Sequence, residues 1–378
     1  MIPFNKPCIT GKETHYITDA VNTGTLSGNG KYTKMCQRFM EEKYGFAKCL
    51  LTTSCTDALE MAAILLDIQP GDEVIVPSYT FVSTANAFVL RGARIIFADS
   101  RADHPGIDEE SLESLITPKT KAIVPVHYAG VACDMDMIMD VANRHNLFVV
   151  EDAAQAIDSY YTGRDGVKRP LGSIGHFGAF SFHETKNIIS GEGGMLAIND
   201  DRYENRAEII WEKGTNRSAF YRGEVDKYGW VDVGSSFLPS EVVAAFLWAQ
   251  FENLDRIQST RVTVWNRYES ALQKLEEQGM FKLPVIPDFA TNNAHMFYLV
   301  CHSGEQRNQL IEYLKQRNIH AVFHYLSLHQ SPYYKGKYTG QALPNCDMFA
   351  NNLVRLPFFN DFTPEEQNVV CEAIINYN

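Results

Sequence analysis

From about Thr52 to Gly194 the chain repeats one pattern: a short run of apolar, β-favouring residues, a polar or proline stop, then a helix-like stretch. Asp72 to Pro77 (DEVIVP), Ala93 to Asp99 (ARIIFAD), Lys121 to His127 (KAIVPVH) and Leu147 to Ala153 (LFVVEDA) are such runs. They are continuous rather than alternating, which is how strands covered on both faces look. Between the last two, Asp134 to Asn146 places Met137, Ile138, Val141 and Ala142 at helical spacing and ends on basic residues suited to a helix C-terminus. Strand, crossover helix and strand make a βαβ unit, so the expected class is α/β with a large, mostly parallel sheet.

At 378 residues the chain is longer than one ordinary domain. After Gly234 the pattern changes to long helical stretches, from Ser240 to about Glu277. Two strand-like runs follow, His295 to Val300 and His320 to Tyr325, and then a closing helix from Thr363 to Tyr377 opened by the capping sequence TPEE. The expectation is a large domain over 1–245 and a smaller α+β domain over 246–378.

The net charge of −12 disfavours nucleic acid or a membrane surface as partner, since both call for basic patches. An anionic small substrate must therefore meet local Lys or Arg. The N-terminal MIPFNKP has no apolar core of signal-peptide length, and no stretch reaches about 18 uncharged apolar residues, so a cytoplasmic protein is expected. Eight cysteines, scattered without a C-x-x-C pair, read as reduced and mostly buried thiols.

In open α/β sheets ligands sit beyond the carboxyl ends of the strands. Asp152 follows the run FVVE, and Gln155 lies three residues on, where both could reach one ligand. A helix N-cap or a surface ion pair explains an isolated Asp152 as well. Gly178 to Gly194 (GAFSFHETKNIISGEGG) then gives a strand ending in Ser181, Lys186, and a glycine-rich turn. Pyridoxal phosphate (PLP) needs an amine for its aldehyde, an acid to keep its ring nitrogen protonated, and donors for its phosphate. Lys186, Asp152 and Ser181 supply one of each. Thr52 to Leu66 (TTSCTDALEMAAILL) opens an amphipathic helix where the N–H groups of Thr56 and Asp57 could bind a phosphate, although N-capping by Ser54 or Thr56 explains the same letters. Phe81 offers a flat face to an aromatic ring, or is an ordinary core residue.

Taken in order along essentially the whole chain, IPF (Ile2 to Phe4), SCTDAL (Ser54 to Leu59), PSYTFVSTANA (Pro77 to Ala87), EDAAQA (Glu151 to Ala156), SFHETKN (Ser181 to Asn187), GEGG (Gly191 to Gly194) and HYLSLHQ (His324 to Gln330) resemble the DegT/DnrJ/EryC1 sugar aminotransferases. These are fold-type I PLP enzymes. The resemblance implies Lys186 as the Schiff-base lysine, Asp152 on the pyridine nitrogen, Gln155 on the ring hydroxyl and Phe81 stacked on the ring. It implies Thr56, Asp57 and Ser181 as the phosphate cradle, and His324 and His329 as a C-terminal active-site segment. Cys55 replaces a usual glycine, and Ser236 stands where many members carry a phosphate-binding asparagine from the partner subunit.

Within the family, SFHETKN, KGTNRS (Lys213 to Ser218) and VDKYGW with GSS (Val225 to Ser236) are similar to the branch acting on dTDP-4-keto-6-deoxy-D-glucose. That branch implies L-glutamate as donor, dTDP-4-amino-4,6-dideoxy-D-galactose as product, surface polysaccharide such as enterobacterial common antigen or O-antigen as destination, and a homodimer with shared active sites. The gluco epimer, a 3-keto sugar, and a non-catalytic PLP-binding sensor stand as alternatives. Arg217, Arg222 and Lys227 are candidates for a nucleotide-sugar diphosphate and equally read as solvated charges. Gly28 to Thr33 (GNGKYT) lacks a dinucleotide fingerprint, His183 and Glu184 form no zinc motif, and no metal site is expected.

Overall fold

The computed structural model describes residues 1–377. Its central sheet has seven strands: β1 (Lys48–Thr52), β2 (Glu73–Pro77), β3 (Arg94–Ala98), β4 (Thr120–Ile123), β5 (Phe148–Asp152), β8 (Phe177–Ser181) and β9 (Gly194–Ile198). A separate hairpin joins β6 (Tyr160–Thr162) to β7 (Lys168–Pro170). The order is β1-β9-β8-β5-β4-β2-β3. Only β9 runs against its neighbours; β8, β5, β4, β2 and β3 are mutually parallel. The continuous apolar runs are explained by burial on both faces. Val74, Val76 and Val150 feed one core, whereas Ile75 and Val149, one residue out of step, feed the other.

Two departures from the expected elements have local causes. The run KAIVPVH pairs regularly only to Ile123, because Pro125 has no N–H to donate; contact with β5 resumes as a single bridge between Val126 and Asp152. The stretch from Ser240 to Glu277 is two helices, Glu241–Phe251 and Leu254–Glu277, broken where Asn253 turns its side chain back onto the Ala249 carbonyl. The crossover helix forms as Met135–His145, with Asp134 accepting from the Met137 amide and Asn146 ending it in the left-handed region.

A second sheet has the order β10 (Tyr298–Val300), β12 (Leu353–Arg355), β11 (Val322–Phe323), all antiparallel. It packs on the long helix and on the closing helix Pro364–Ile375, whose Thr363 and Glu366 form a complete capping box. Residue 245, near which the domain change was expected, lies inside the helix Glu241–Phe251, and Ala244, Ala245 and Leu247 pack in the large-sheet core. Along the next helix Leu254 and Ile257 belong to that core, while Val264, Trp265 and Tyr268 belong to the small one. We propose that the change of domain falls between Ile257 and Val264.

Glu241 ties the second helix of the chain to this frame. Its carboxylate, only 2% exposed, accepts from the amides of Gly30, Tyr32 and Thr33 and from the Thr33 hydroxyl, at 2.5–3.0 Å, at the start of the helix Lys31–Tyr44. Glu241→Ala strands these donors out of water and is expected to destabilise the fold by about 3–5 kcal/mol. A denaturation midpoint unchanged from wild type would contradict that role.

Among the described residues no helix is long and apolar enough to cross a membrane, and no group of three His, Cys, Asp or Glu could hold a metal ion.

Candidate active site

The loop between antiparallel β8 and β9 carries Lys186. Its base is laced by backbone bonds from Phe182 N to Gly193 O and from Glu184 N to Gly191 O, with Gly191 at φ +82°. The next residue, Asn187, is buried and anchors the lysine: its amide donates to Gln258 Oε1 and Asn293 O, both at 2.9 Å, and its Oδ1 lies 2.8 Å from His295 Nδ1. Gly194 has a packing role, since a Cβ there would lie 2.3 Å from the Cys55 amide nitrogen. The start of the helix Cys55–Leu65 is thereby laid directly over β9.

Lys186 opens into a cavity of about 620 Å³ whose wall includes Asp152, Gln155, Ser181, Phe81, Thr56 and His324. Asp152 ends β5. One of its oxygens accepts from Thr84 Oγ1 at 2.7 Å and the other from the Ala154 amide at 3.1 Å. Burial pushes this carboxyl above its ordinary range, against the pull of Thr84, Ala154 and Lys186. Burial also lowers the Lys186 amine, while Cys55 and Asp152 oppose that shift. A buried carboxylate held by one hydroxyl and one amide suits a cationic ligand atom, and a lysine with a depressed pKa suits an amine that must attack and take protons. Gln155 already uses its oxygen on the Ala129 amide at 2.6 Å and donates to the Tyr325 hydroxyl at 3.1 Å. Phe81 is 55% exposed at the cavity wall, so it is not an ordinary core phenylalanine.

The phosphate-sized end differs in part from the sequence reading. Ser54 caps the helix by accepting from the Asp57 amide at 3.0 Å, so that N–H is already taken. The Asp57 carboxylate turns to the Thr53 hydroxyl and does not line the cavity. What remains is Ser54, Thr56, Ser83 and Ser181, with Thr56 Oγ1 donating to Ser83 Oγ at 2.7 Å, together with the helix's first two amides, which have no intrahelical acceptor. Ser83 was not anticipated; it lies two residues past Phe81, among letters that also read as plain helix.

His324 is buried on the cavity wall, with Nδ1 2.7 Å from the Tyr128 hydroxyl. His329 is not on that wall. Its Nδ1 meets Ser78 Oγ at 2.7 Å and its Nε2 lies 3.6 Å from Asp347, so it pins the segment after β11 to the end of β2. Arg217, Lys227 and Ser236 are exposed on the stretch between Glu212 and Phe237 and do not line the cavity formed by this chain. Besides Ser83, the wall includes His295, Arg355 and Tyr325, a bulky residue held at φ +50°, none of which was singled out from the sequence. The donor set fits PLP part by part: an amine for the aldehyde, a buried carboxylate for the ring nitrogen, an exposed aromatic face, and hydroxyls with a helix N-terminus for the phosphate.

Residues 7–375 match the DegT/DnrJ/EryC1/StrS aminotransferase family. The chain belongs to this family. It is an aminotransferase of the fold-type I class, and its cofactor is pyridoxal 5'-phosphate. It is 33% identical over 385 residues to SpsC, a spore coat polysaccharide biosynthesis protein of Bacillus subtilis strain 168, covering 99% of this chain and 96% of that one. Among solved structures it resembles Spr1654 of Streptococcus pneumoniae, described as a candidate sugar aminotransferase and solved in its PMP form; identity is 27%, coverage 99% and 98%, and the TM-score 0.89. It also resembles an aminotransferase from Psychrobacter cryohalolentis, at 26% identity, 98% coverage of both chains and a TM-score of 0.91.

Proposed function

We propose that this aminotransferase moves the amino group of L-glutamate to C4 of dTDP-4-keto-6-deoxy-D-glucose, giving dTDP-4-amino-4,6-dideoxy-D-galactose for a surface polysaccharide. The observation that carries this is the convergence of Lys186, Asp152, Gln155 and Phe81 on one cavity. The segments KGTNRS and VDKYGW select the sugar, by their likeness to the dTDP-4-keto-6-deoxy-D-glucose branch. The relation to SpsC, named for spore coat polysaccharide biosynthesis, agrees with the destination.

When bound, PLP supplies an electron sink for the charge left as a C–H bond breaks at the carbon bearing the amine. The protein's part follows from its residues. Lys186 is the residue that would hold the cofactor's aldehyde, and its Nζ, whose pKa burial lowers, would take the proton from the donor α-carbon. In the second half-reaction the same Nζ returns a proton to sugar C4, and the face it approaches sets the configuration. Asp152, steadied by Thr84, would keep the ring nitrogen protonated. Gln155 would contact the ring hydroxyl, Phe81 would cover the ring, and Thr56, Ser83 and Ser181 would bind the phosphate. A homodimer with shared active sites is part of this reading, in which the exposed Ser236, Arg217 and Lys227 serve a neighbouring site.

The test is to incubate the PLP-loaded enzyme with L-glutamate and dTDP-4-keto-6-deoxy-D-glucose and to assign the product by NMR. An axial amine at C4 is expected. An equatorial amine would make the product the gluco epimer, and no amine at C4 would overturn the substrate.

A further inference from the structure

His295 lies three residues before β10 and is buried, yet it forms part of the wall of the Lys186 cavity. Its tautomer follows from the bonds of Asn187. The Asn293 carbonyl can only accept, so the Asn187 atom 2.9 Å from it is the NH2 group, which also donates to Gln258 Oε1. Asn187 therefore turns its Oδ1 to His295, and in the 2.8 Å bond between them His295 Nδ1 is the donor. The ring proton sits on Nδ1, and Nε2 carries a bare lone pair. Among the described residues nothing donates to this Nε2, and it opens on the cavity. His324, the other histidine of the wall, is not fixed in this way, because its Nδ1 meets the Tyr128 hydroxyl, which can donate or accept.

Lys186 carries the complementary group. Among the described residues no carboxylate oxygen lies within 4.0 Å of its Nζ. Other acceptors on the wall are already engaged: Asp152 by Thr84 and the Ala154 amide, Gln155 by the Ala129 amide. Burial pushes the His295 imidazole well below its ordinary pKa, and the charges of Lys186, Arg261 and Arg355 push the same way. His295 thus stays neutral; it accepts a hydrogen bond but is too weak a base to compete for a proton leaving carbon. An amine released from a covalent bond swings on a flexible four-carbon stem. A base that takes a proton from one carbon and returns one to another must instead be held on one side.

We propose that His295 is a positioning residue for Lys186, its Nε2 accepting a hydrogen bond from the freed Nζ and holding that amine toward the reacting carbon. A neutral amine has two N–H bonds and one lone pair; one N–H goes to His295, and the lone pair faces the carbon. The inference rests on the reading of Lys186 as the base and adds what fixes the side from which it acts.

The experiment compares wild type with His295→Asn and His295→Gln. An asparagine amide reaches the place of Nδ1 and keeps a donor for Asn187, with nothing at the place of Nε2; a glutamine amide reaches the place of Nε2 and keeps an acceptor there. In PLP-loaded protein the glutamate half-reaction should slow about 10- to 100-fold in the Asn variant, the worth of one hydrogen bond to a charged group. Half-saturation by glutamate should stay within about threefold, because the lost contact acts on the proton transfer. The Gln variant should keep its rate within about threefold of wild type. A role confined to anchoring Asn187 reverses this order, and the reversal would overturn the proposal. Each variant decides alone should the other fail to fold. Cofactor-free protein gives a second readout, the pH dependence of Lys186 acylation by acetic anhydride, followed by peptide mapping. Cys55, Asp152 and Arg355 act on the amine alike in all three proteins. An acceptor at Nε2 favours the ammonium form, so the half-point should move to lower pH in the Asn variant and stay in place in the Gln variant. Superimposable titrations of wild type and the Asn variant would overturn the proposal. A wild-type enzyme that traps its cofactor on another lysine would instead overturn Lys186 as the base.

Discussion

Lys186→Arg is expected to leave the protein folded and to remove both its covalent hold on PLP and its transamination. Arginine keeps the positive charge and nearly the length, yet its guanidinium stays protonated and neither attacks an aldehyde nor accepts a proton. The loop itself should survive, because it is held by the Phe182–Gly193 and Glu184–Gly191 backbone bonds and by buried Asn187 rather than by the lysine side chain. Loss of a general base alone costs about 10²–10⁴ in rate, and losing the covalent attachment as well places the variant at or beyond the upper end. Borohydride reduction followed by peptide mapping checks it. Wild type should give one adduct, at Lys186, and the variant none; an adduct on another lysine would contradict the assignment.

Asp152→Asn should separate activity from stability. The side chain is nearly isosteric, its oxygen can still accept from the Ala154 amide and its NH2 can donate to the Thr84 hydroxyl, so the site keeps its shape. What disappears is the negative charge that holds the ring nitrogen protonated, and the rate should fall by about 10²–10³, the worth of a charge-assisted bond in a dry site. The cofactor-free variant should be at least as stable as wild type at neutral pH. Burial raises the folded-state pKa of Asp152 above its unfolded value, so the ionised carboxylate opposes folding when the pH is above that raised value. The opposition fades as pH falls towards the unfolded value of about 4. The gap in unfolding midpoint between variant and wild type should therefore close on acidification from pH 7 to 4. A variant less stable than wild type at pH 7 would contradict this account of the carboxylate.

The large sheet was legible because its strands are buried on both faces, which writes continuous apolar runs such as DEVIVP and FVVE into the chain. Strand ends then pointed to Asp152 and Ser181, and the cavity contains both. Asp57 could not be resolved from the letters, because a capping serine and a phosphate-binding amide require the same ones; in the structure its amide donates to Ser54 at 3.0 Å. His329 shares a motif with His324, yet six residues after β11 the chain has turned toward Ser78. Arg355 was invisible for a different reason. Its strand is three residues long, too short for any periodicity, and an arginine after two apolar residues reads as a surface charge until its unpaired Nε is seen beside Lys186. Ser236, Arg217 and Lys227 lie on an exposed segment that also bears Trp230, 84% exposed.

The most direct measurement of the central claim is a single turnover: the PLP-loaded chain is mixed with L-glutamate in the absence of any sugar, and 2-oxoglutarate is quantified against protein. The account predicts one equivalent of 2-oxoglutarate per chain, formed in step with loss of the aldehyde-form absorbance and absent from Lys186→Arg. Tight PLP binding with no 2-oxoglutarate would contradict it.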